Sequence, residues 1–199
     1  MHLLITAFEP FGGESQNAAL LCAKQLSLPA PHRLTIIKVP TVFGRCTEVA
    51  LEAVRALHPD AVLCLGQAAG RAAITPERIA INCRDARIPD NAGAQPIDKP
   101  IAPDGPDAYF SRLPIRAMTD AIRAAGVPAA ISNSAGTFVC NDLMYGLLHA
   151  LKAEAPHLPC GFIHVPITPA QAAAFDPPLP SLPEQEILTG LNAAIRTLL

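Results

Sequence analysis

Tryptophan is absent from the 199-residue chain, tyrosine occurs twice, and only 16% of the residues carry a formal charge. No basic stripe relieves that scarcity. Lysine and arginine are scattered singly and the net charge is −2, so nothing draws the chain electrostatically toward nucleic acid or an anionic membrane. An uninterrupted apolar run long enough to span a bilayer is missing too: the longest uncharged stretch, Ala124 to Asn141, is broken by Pro128, Ser132, Asn133, Ser134 and Thr137. The opening run MHLLITAFEPFGG has no basic leader and meets Glu9 and Pro10 at once, which argues against a secretory signal. The expectation is a soluble, cytoplasmic protein with neither nucleic acid nor membrane as a partner.

Closely spaced metal-ligand or disulfide motifs are also lacking. The six cysteines, at 22, 46, 64, 83, 140 and 160, form no CxxC, and no His-x3-His accompanies them. That pattern points to reduced thiols, with neither a disulfide frame nor a metal site. A phosphate-cradling glycine loop is absent as well, since Gly12-Gly13 alone is a weak signal, so no cofactor is expected and a nucleoside-binding, phosphorylase-like role finds no support. Five of the cysteines read as small buried hydrophobes. Cys140 does not.

What the chain does have is apolar residues, half of the total, in an alternation of strand and helix patterns. Strands are expected at His2 to Phe8, Leu34 to Val39, Ala61 to Leu65, Arg78 to Cys83, Ala129 to Ser132 and Gly161 to Val165. Helices are expected from an Asn17 cap to about Leu26, from Gly44 to Leu57, after Pro114, from Cys140 to Lys152, and after a capping box at Ser181 and Glu184. Residues 84 to 112 form a long excursion with little regular pattern, of the kind that is usually functional. The fold class is therefore α/β, a single-domain three-layer α/β/α sandwich over residues 1–199 with a mostly parallel sheet. In such sheets the site lies at the carboxyl ends of the strands, which directs attention to the loops after Phe8, Leu65, Asn133 and Val165.

One of those loops, SNSAGTFVC, runs into a helix at Cys140. A thiol at a helix N-terminus is expected to have its thiolate favoured by the dipole and the free N–H groups, which can also hold an oxyanion. The plain alternative is an inert helix-start cysteine. A nucleophilic Cys needs a base, normally His. His149 lies nine residues along the same helix, about 13 Å away at 1.5 Å per residue, out of reach. His2 sits at the wrong end of its strand, and His32, His58 and His157 each adjoin a proline in connecting segments. His164 remains, near the carboxyl end of GFIHV, where a right-handed crossover would set it beside the preceding strand and facing the thiol. Glu77, Asp85 and Asp90 are the candidates for orienting its imidazole, and spacing does not choose among them.

The segments ITAFEPFGGESQN, LGQAAGRAAITPERIAINCRDARIPDNAGAQPID, SNSAGTFVCNDLMYGLLH and GFIHVPITPAQ, collinear and covering well over a third of the chain, resemble those of the pyroglutamyl peptidase I (pyrrolidone-carboxylate peptidase) family of cysteine peptidases. The resemblance implies removal of an N-terminal 5-oxoproline from peptides by a Cys–His–acid triad, with Cys140 as nucleophile, His164 as base and Glu77 as the acid. It implies that Arg87 of DARIPDN helps hold the oxyanion and that Phe8 and Phe11 enclose the lactam ring. Gln67, Phe138 and Val139 would complete that pocket, and pyroglutamylated peptides and further copies of the chain would be the partners. A flat neutral ring calls for apolar walls and a few backbone hydrogen bonds, which suits these residue types. Ala69, Ala18 and the run VPITPAQ depart from the usual pattern, but none is a triad position. A non-catalytic relative that binds pyroglutamyl peptides and a cysteine amidase of other specificity are the remaining readings.

Overall fold

The computed structural model describes residues 1–199. Its elements are β1 (His2–Phe8), α1 (Ala18–Ala23), β2 (Arg33–Val39), α2 (Arg45–Leu57), β3 (Ala61–Gln67), β4 (Thr75–Pro76), β5 (Ile79–Ile81) and β6 (Ala108–Phe110), then α3 (Ile115–Ala124), α4 (Val139–Glu154), β7 (Cys160–Val165), α5 (Pro169–Ala172) and α6 (Glu184–Arg196). The main sheet has the order β2-β1-β3-β7-β4, parallel except for β4, and β5 pairs with β6 in a separate hairpin.

β1, β3 and β7 are almost entirely buried, as expected of parallel strands covered on both faces. Their side chains alternate between two cores. Leu3, Ile5, Leu63, Leu65, Ile163 and Val165 face the layer of α1, α3 and α6, whereas Leu4, Phe8, Val62, Cys64, Cys160 and Phe162 face α2 and α4. Each leucine or isoleucine so buried contributes roughly 1.5–3 kcal/mol against leaving it in water. α2 and α4 approach closely at Gly146, where a Cβ would fall 2.7 Å from the Thr47 side chain. No helix is long and apolar enough to cross a membrane.

Three expectations fail at the local level. Ala129 to Ser132 makes only two isolated bridges, Ile74 with Ala129 and Glu77 with Ser132, because Pro76 and Pro128 have no N–H to continue the ladder. This segment also lies outside β4, so β4, and not the strand before α4, is the neighbour that β7 meets on that side. The crossover expected to set His164 beside Ala129 to Ser132 is replaced by an inserted antiparallel segment. The capping box at Ser181 and Glu184 does not form either: Ser181 bridges to Ile167, and Pro183 opens α6 without a side-chain cap. Within the long excursion, β6 forms a hairpin with β5 that its sequence does not announce.

Candidate active site

The carboxyl ends of β3 and β7 lie side by side, with Gly66 opposite His164. Cys140, second residue of α4, reaches the same point, for a Cβ built on Gly66 would stand 3.1 Å from its Sγ and 2.8 Å from the Phe162 ring. Only glycine leaves room for that sulfur. The Phe162 ring in turn lies against His164, with centroids 4.7 Å apart.

Glu77 follows directly on the inserted β4. Thr75 pairs with His164, the Glu77 N–H donates to the Phe162 carbonyl at 2.9 Å, and the Glu77 side chain turns back across β7. Glu77 Oε1 lies 2.7 Å from His164 Nδ1, and both side chains are nearly or wholly buried. Of the three carboxylates left open by spacing, Glu77 alone touches the imidazole. Asp90 is occupied elsewhere: its oxygens accept the N–H groups of Phe43, Ala92 and Ala94 at 2.8–2.9 Å, which shapes its own loop. Asp85 is exposed, and its backbone N–H and C=O bond to Thr137.

Burial by itself would raise the Glu77 carboxyl, but the hydrogen bond and charge of His164, with Arg71 beyond, hold it below the usual carboxylate range. Burial likewise lowers His164 below the ordinary imidazole range, with Glu77 opposing the shift. The resting pair is therefore a carboxylate and a neutral imidazole whose Nδ1–H donates to Glu77, leaving Nε2 as the acceptor. Both shifts act on stability in one direction. Glu77 contributes stability above the ordinary carboxylate range that is lost as pH falls through its lowered value. An unfolded His164 takes a proton near its model value of 6.5, before the folded one does, so acid again favours unfolding.

The expected helix-terminus effect on the thiol is outweighed. Cys140 is half-buried, and the N–H groups of Val139, Cys140 and Asn141 find no backbone acceptor. Yet burial, followed by the charge of Glu77, pushes the thiol up to about 12, against the opposing pull of Arg71 and the Cys140 N–H. Alkylation of Cys140 by iodoacetamide is expected to accelerate about tenfold per pH unit between pH 6 and 9, following the small thiolate fraction. A flat rate across pH 5 to 8, the signature of a preformed thiolate–imidazolium pair, would refute this.

The first turn of α4 is anchored on both sides. Asn141, wholly buried, accepts the Ile81 N–H at 2.9 Å and donates to the carbonyls of Ile81 and Cys83 at 2.8 and 2.9 Å. Asp142 accepts Arg84 Nε at 2.5 Å and the Gly44 N–H at 2.6 Å. Around this turn stand three aromatic rings: Phe138 lies 6.0 Å from Phe11 and meets Phe43 edge-on at 5.4 Å.

The other implied pocket residues are distributed unevenly. Phe8 is 1% exposed and packs beneath the site on Phe162, centroids 6.4 Å apart. Gln67 is committed to structure, accepting the Ala18 N–H at 2.8 Å and donating to Glu14 at 3.0 Å, with Gln171 bonded to both. Val139 is buried as the first residue of α4. Arg87 is exposed and has no ion pair. Sequence reasoning passed over Phe43, Arg71 and Gln171. Gln171 was legible, because Thr168 and Gln171 form a true capping box that opens α5.

The model for the family described as "Pyroglutamyl peptidase" matches residues 1–199. The chain is 50% identical to a pyrrolidone-carboxylate peptidase of Levilactobacillus brevis, covering 100% of this chain and 97% of that protein. It is 52% identical to one from Streptomyces coelicolor, over 97% and 89%. Among solved structures, it superimposes on pyroglutamyl peptidase I of Bacillus amyloliquefaciens with a TM-score of 0.92 at 44% identity, covering 97% and 94% of the two chains. Pyrrolidone carboxyl peptidase of Pyrococcus furiosus gives 0.94 at 40% identity, over 99% and 97%.

Proposed function

The chain belongs to the pyroglutamyl peptidase family and is a cysteine peptidase that removes N-terminal pyroglutamate, and we propose that Cys140, His164 and Glu77 carry out that hydrolysis. The observation that supports this assignment is the buried Glu77–His164 contact of 2.7 Å at the strand end where Gly66 makes room for the Cys140 sulfur.

His164 Nε2 takes the Sγ proton as the sulfur attacks the carbonyl carbon of the pyroglutamyl residue. The imidazolium that forms is stabilised by Glu77, whose carboxylate keeps Nδ1 protonated throughout. Collapse of the tetrahedral intermediate breaks the C–N bond, and the departing amine takes the proton back from His164, leaving a thioester on Cys140. Water, deprotonated by His164, then attacks the thioester; the C–S bond breaks, the departing sulfur takes the proton back from His164, and pyroglutamate is freed. With the thiol and imidazole neutral at rest, proton transfer belongs to the attack itself. The unpaired N–H groups at the start of α4 suit the developing oxyanion, since they are fixed donors at a positive helix end. They make a better case for that role than exposed Arg87, for which resemblance is the ground. Phe11, Phe138 and Phe43 provide apolar walls for the lactam, while Phe8 packs beneath the site on Phe162. N-terminally pyroglutamylated peptides are the substrates this reading assigns.

Fluorogenic amides of pyroglutamate, proline and glutamate test it. Turnover of the pyroglutamyl amide at least about 100-fold above the other two is expected, because a site that bonds the lactam amide is left with unpaired polar groups by a ring lacking it, and an apolar pocket disfavours charge. Equal turnover of all three would sink the lactam pocket.

A further inference from the structure

Arg71 has no part in the triad, yet it bonds to three of the residues around it, Thr75, Glu77 and Ser134. It sits on the turn after β3, with 28% of its side chain exposed. Nη1 donates to Glu77 Oε1 at 2.6 Å and to the Thr75 hydroxyl on β4. Nη2 reaches the Ser134 carbonyl at 3.4 Å, in the loop that delivers Cys140 to the site. One guanidinium thus bridges the acid, the short strand that precedes it, and the approach to the nucleophile.

The Glu77 carboxylate makes this bridge consequential. Its Oε1 is shared by His164 Nδ1 and Arg71 Nη1, while Oε2 is buried without any hydrogen-bond partner. A wholly buried carboxylate with half of its acceptor capacity unused is costly unless a cation neutralises it. Arg71 is the one side chain that ion-pairs with Glu77 apart from His164 itself. With Nη2 held on the Ser134 carbonyl, the planar guanidinium keeps Nη1 on Glu77 Oε1 more firmly than an ammonium on a flexible stem would.

We propose that Arg71 is a positioning residue for the reaction: it holds Glu77 ionised with Oε1 toward His164, so that the imidazole keeps the tautomer that can accept the Cys140 proton. The proposal rests on the triad reading above. The ionisable groups around His164 are Glu77 just after β4, Arg71 from the turn after β3 and Cys140 from α4, with Cys64 of β3 acting on Cys140 from behind. Among these, Arg71 lowers both the thiol and the imidazole, while Glu77 raises both. Loss of the Arg71 charge therefore makes His164 easier to protonate and Cys140 harder to deprotonate.

The test is kcat and KM for a pyroglutamyl amide from pH 4.5 to 9, with melting temperatures, for Arg71→Gln, Arg71→Lys and Glu77→Gln beside the unaltered enzyme. Arg71→Gln is expected to lose about 10- to 100-fold in kcat, the scale of a misplaced catalytic group, with KM changed less than about twofold and the acid limb of the profile moved to higher pH. Arg71→Lys, which keeps the charge but not the fork, should recover part of kcat and leave the acid limb in place. If Arg71→Gln does not fold, Arg71→Lys alone carries the test, through a loss confined to kcat. An unchanged kcat and acid limb in Arg71→Gln, a loss confined to KM, or a loss that follows the melting temperature with the acid limb unmoved would each overturn the proposal. Full activity in Glu77→Gln would instead remove the triad reading on which it stands. An inactive Glu77→Gln beside an unaffected Arg71→Gln would remove the role of Arg71 alone.

Discussion

Cys140→Ala should reduce kcat for a pyroglutamyl amide by at least about 10⁴-fold, because the acyl group then has no covalent acceptor and water must attack unaided. The same change should barely disturb the fold. Only one sulfur atom is removed, from a half-buried residue whose helix is anchored by its neighbours Asn141 and Asp142. Product affinity is the informative companion measurement. Pyroglutamate should bind the variant within a few-fold of the unaltered enzyme, since the aromatic walls at Phe11, Phe138 and Phe43 do not depend on the thiol. A variant that kept more than about 1% of kcat would refute the nucleophile, and one that lost binding together with turnover would point to collapse of the pocket.

The second large effect is expected for Glu77→Gln, a loss of about 10²–10⁴ in kcat. Neutralising the orienting acid in a serine triad costs about 10⁴. Here the amide would be placed between two donors, His164 Nδ1 and Arg71 Nη1, that now share one oxygen. If the amide nitrogen turns toward His164, Nδ1 becomes the acceptor, the proton moves to Nε2, and the imidazole can no longer accept from sulfur. If the oxygen turns that way, the tautomer survives but the imidazolium loses its counter-charge. Asp90→Asn is the control. Its carboxylate caps its own loop and the Phe43 N–H, so its loss should appear in KM through the pocket wall, with the acid limb in place. A reversed pattern, with Asp90→Asn abolishing kcat and Glu77→Gln sparing it, would exchange the two roles.

Much of this architecture is written in local patterns. The parallel strands show themselves as continuous apolar runs, and α2 and α4 as amphipathic or buried helical repeats, because burial on one or both faces dictates residue type directly. The loop-to-helix position of Cys140 and the strand-end position of His164 are legible for the same reason. Glu77 was not separable from Asp85 and Asp90 by spacing, since what selects it is β4, a two-residue antiparallel insertion too short to leave a periodic trace. Family resemblance singled out Glu77, and the geometry gives the physical reason: Thr75 and Pro76 pair with the strand that carries His164. The electrostatics of the thiol are not legible in the same way. The helix terminus is present, but desolvation, which depends on tertiary packing, is the larger influence. Arg71 stayed silent because an arginine in a turn has the same appearance whether it faces water or a buried carboxylate.

The polar residues that follow Cys140 make the first turn of α4 a joint, through which the hairpin strand β5 and the start of α2 are both held to the nucleophile. A surface change near Arg84 or Gly44 would be transmitted to the sulfur as a small displacement, and about 1 Å there can cost about 10²-fold in rate. These two loops, although neither carries a triad residue, are therefore not free to diverge independently of the helix. Their freedom to vary is set by how far a sulfur atom can drift and still reach a carbonyl carbon.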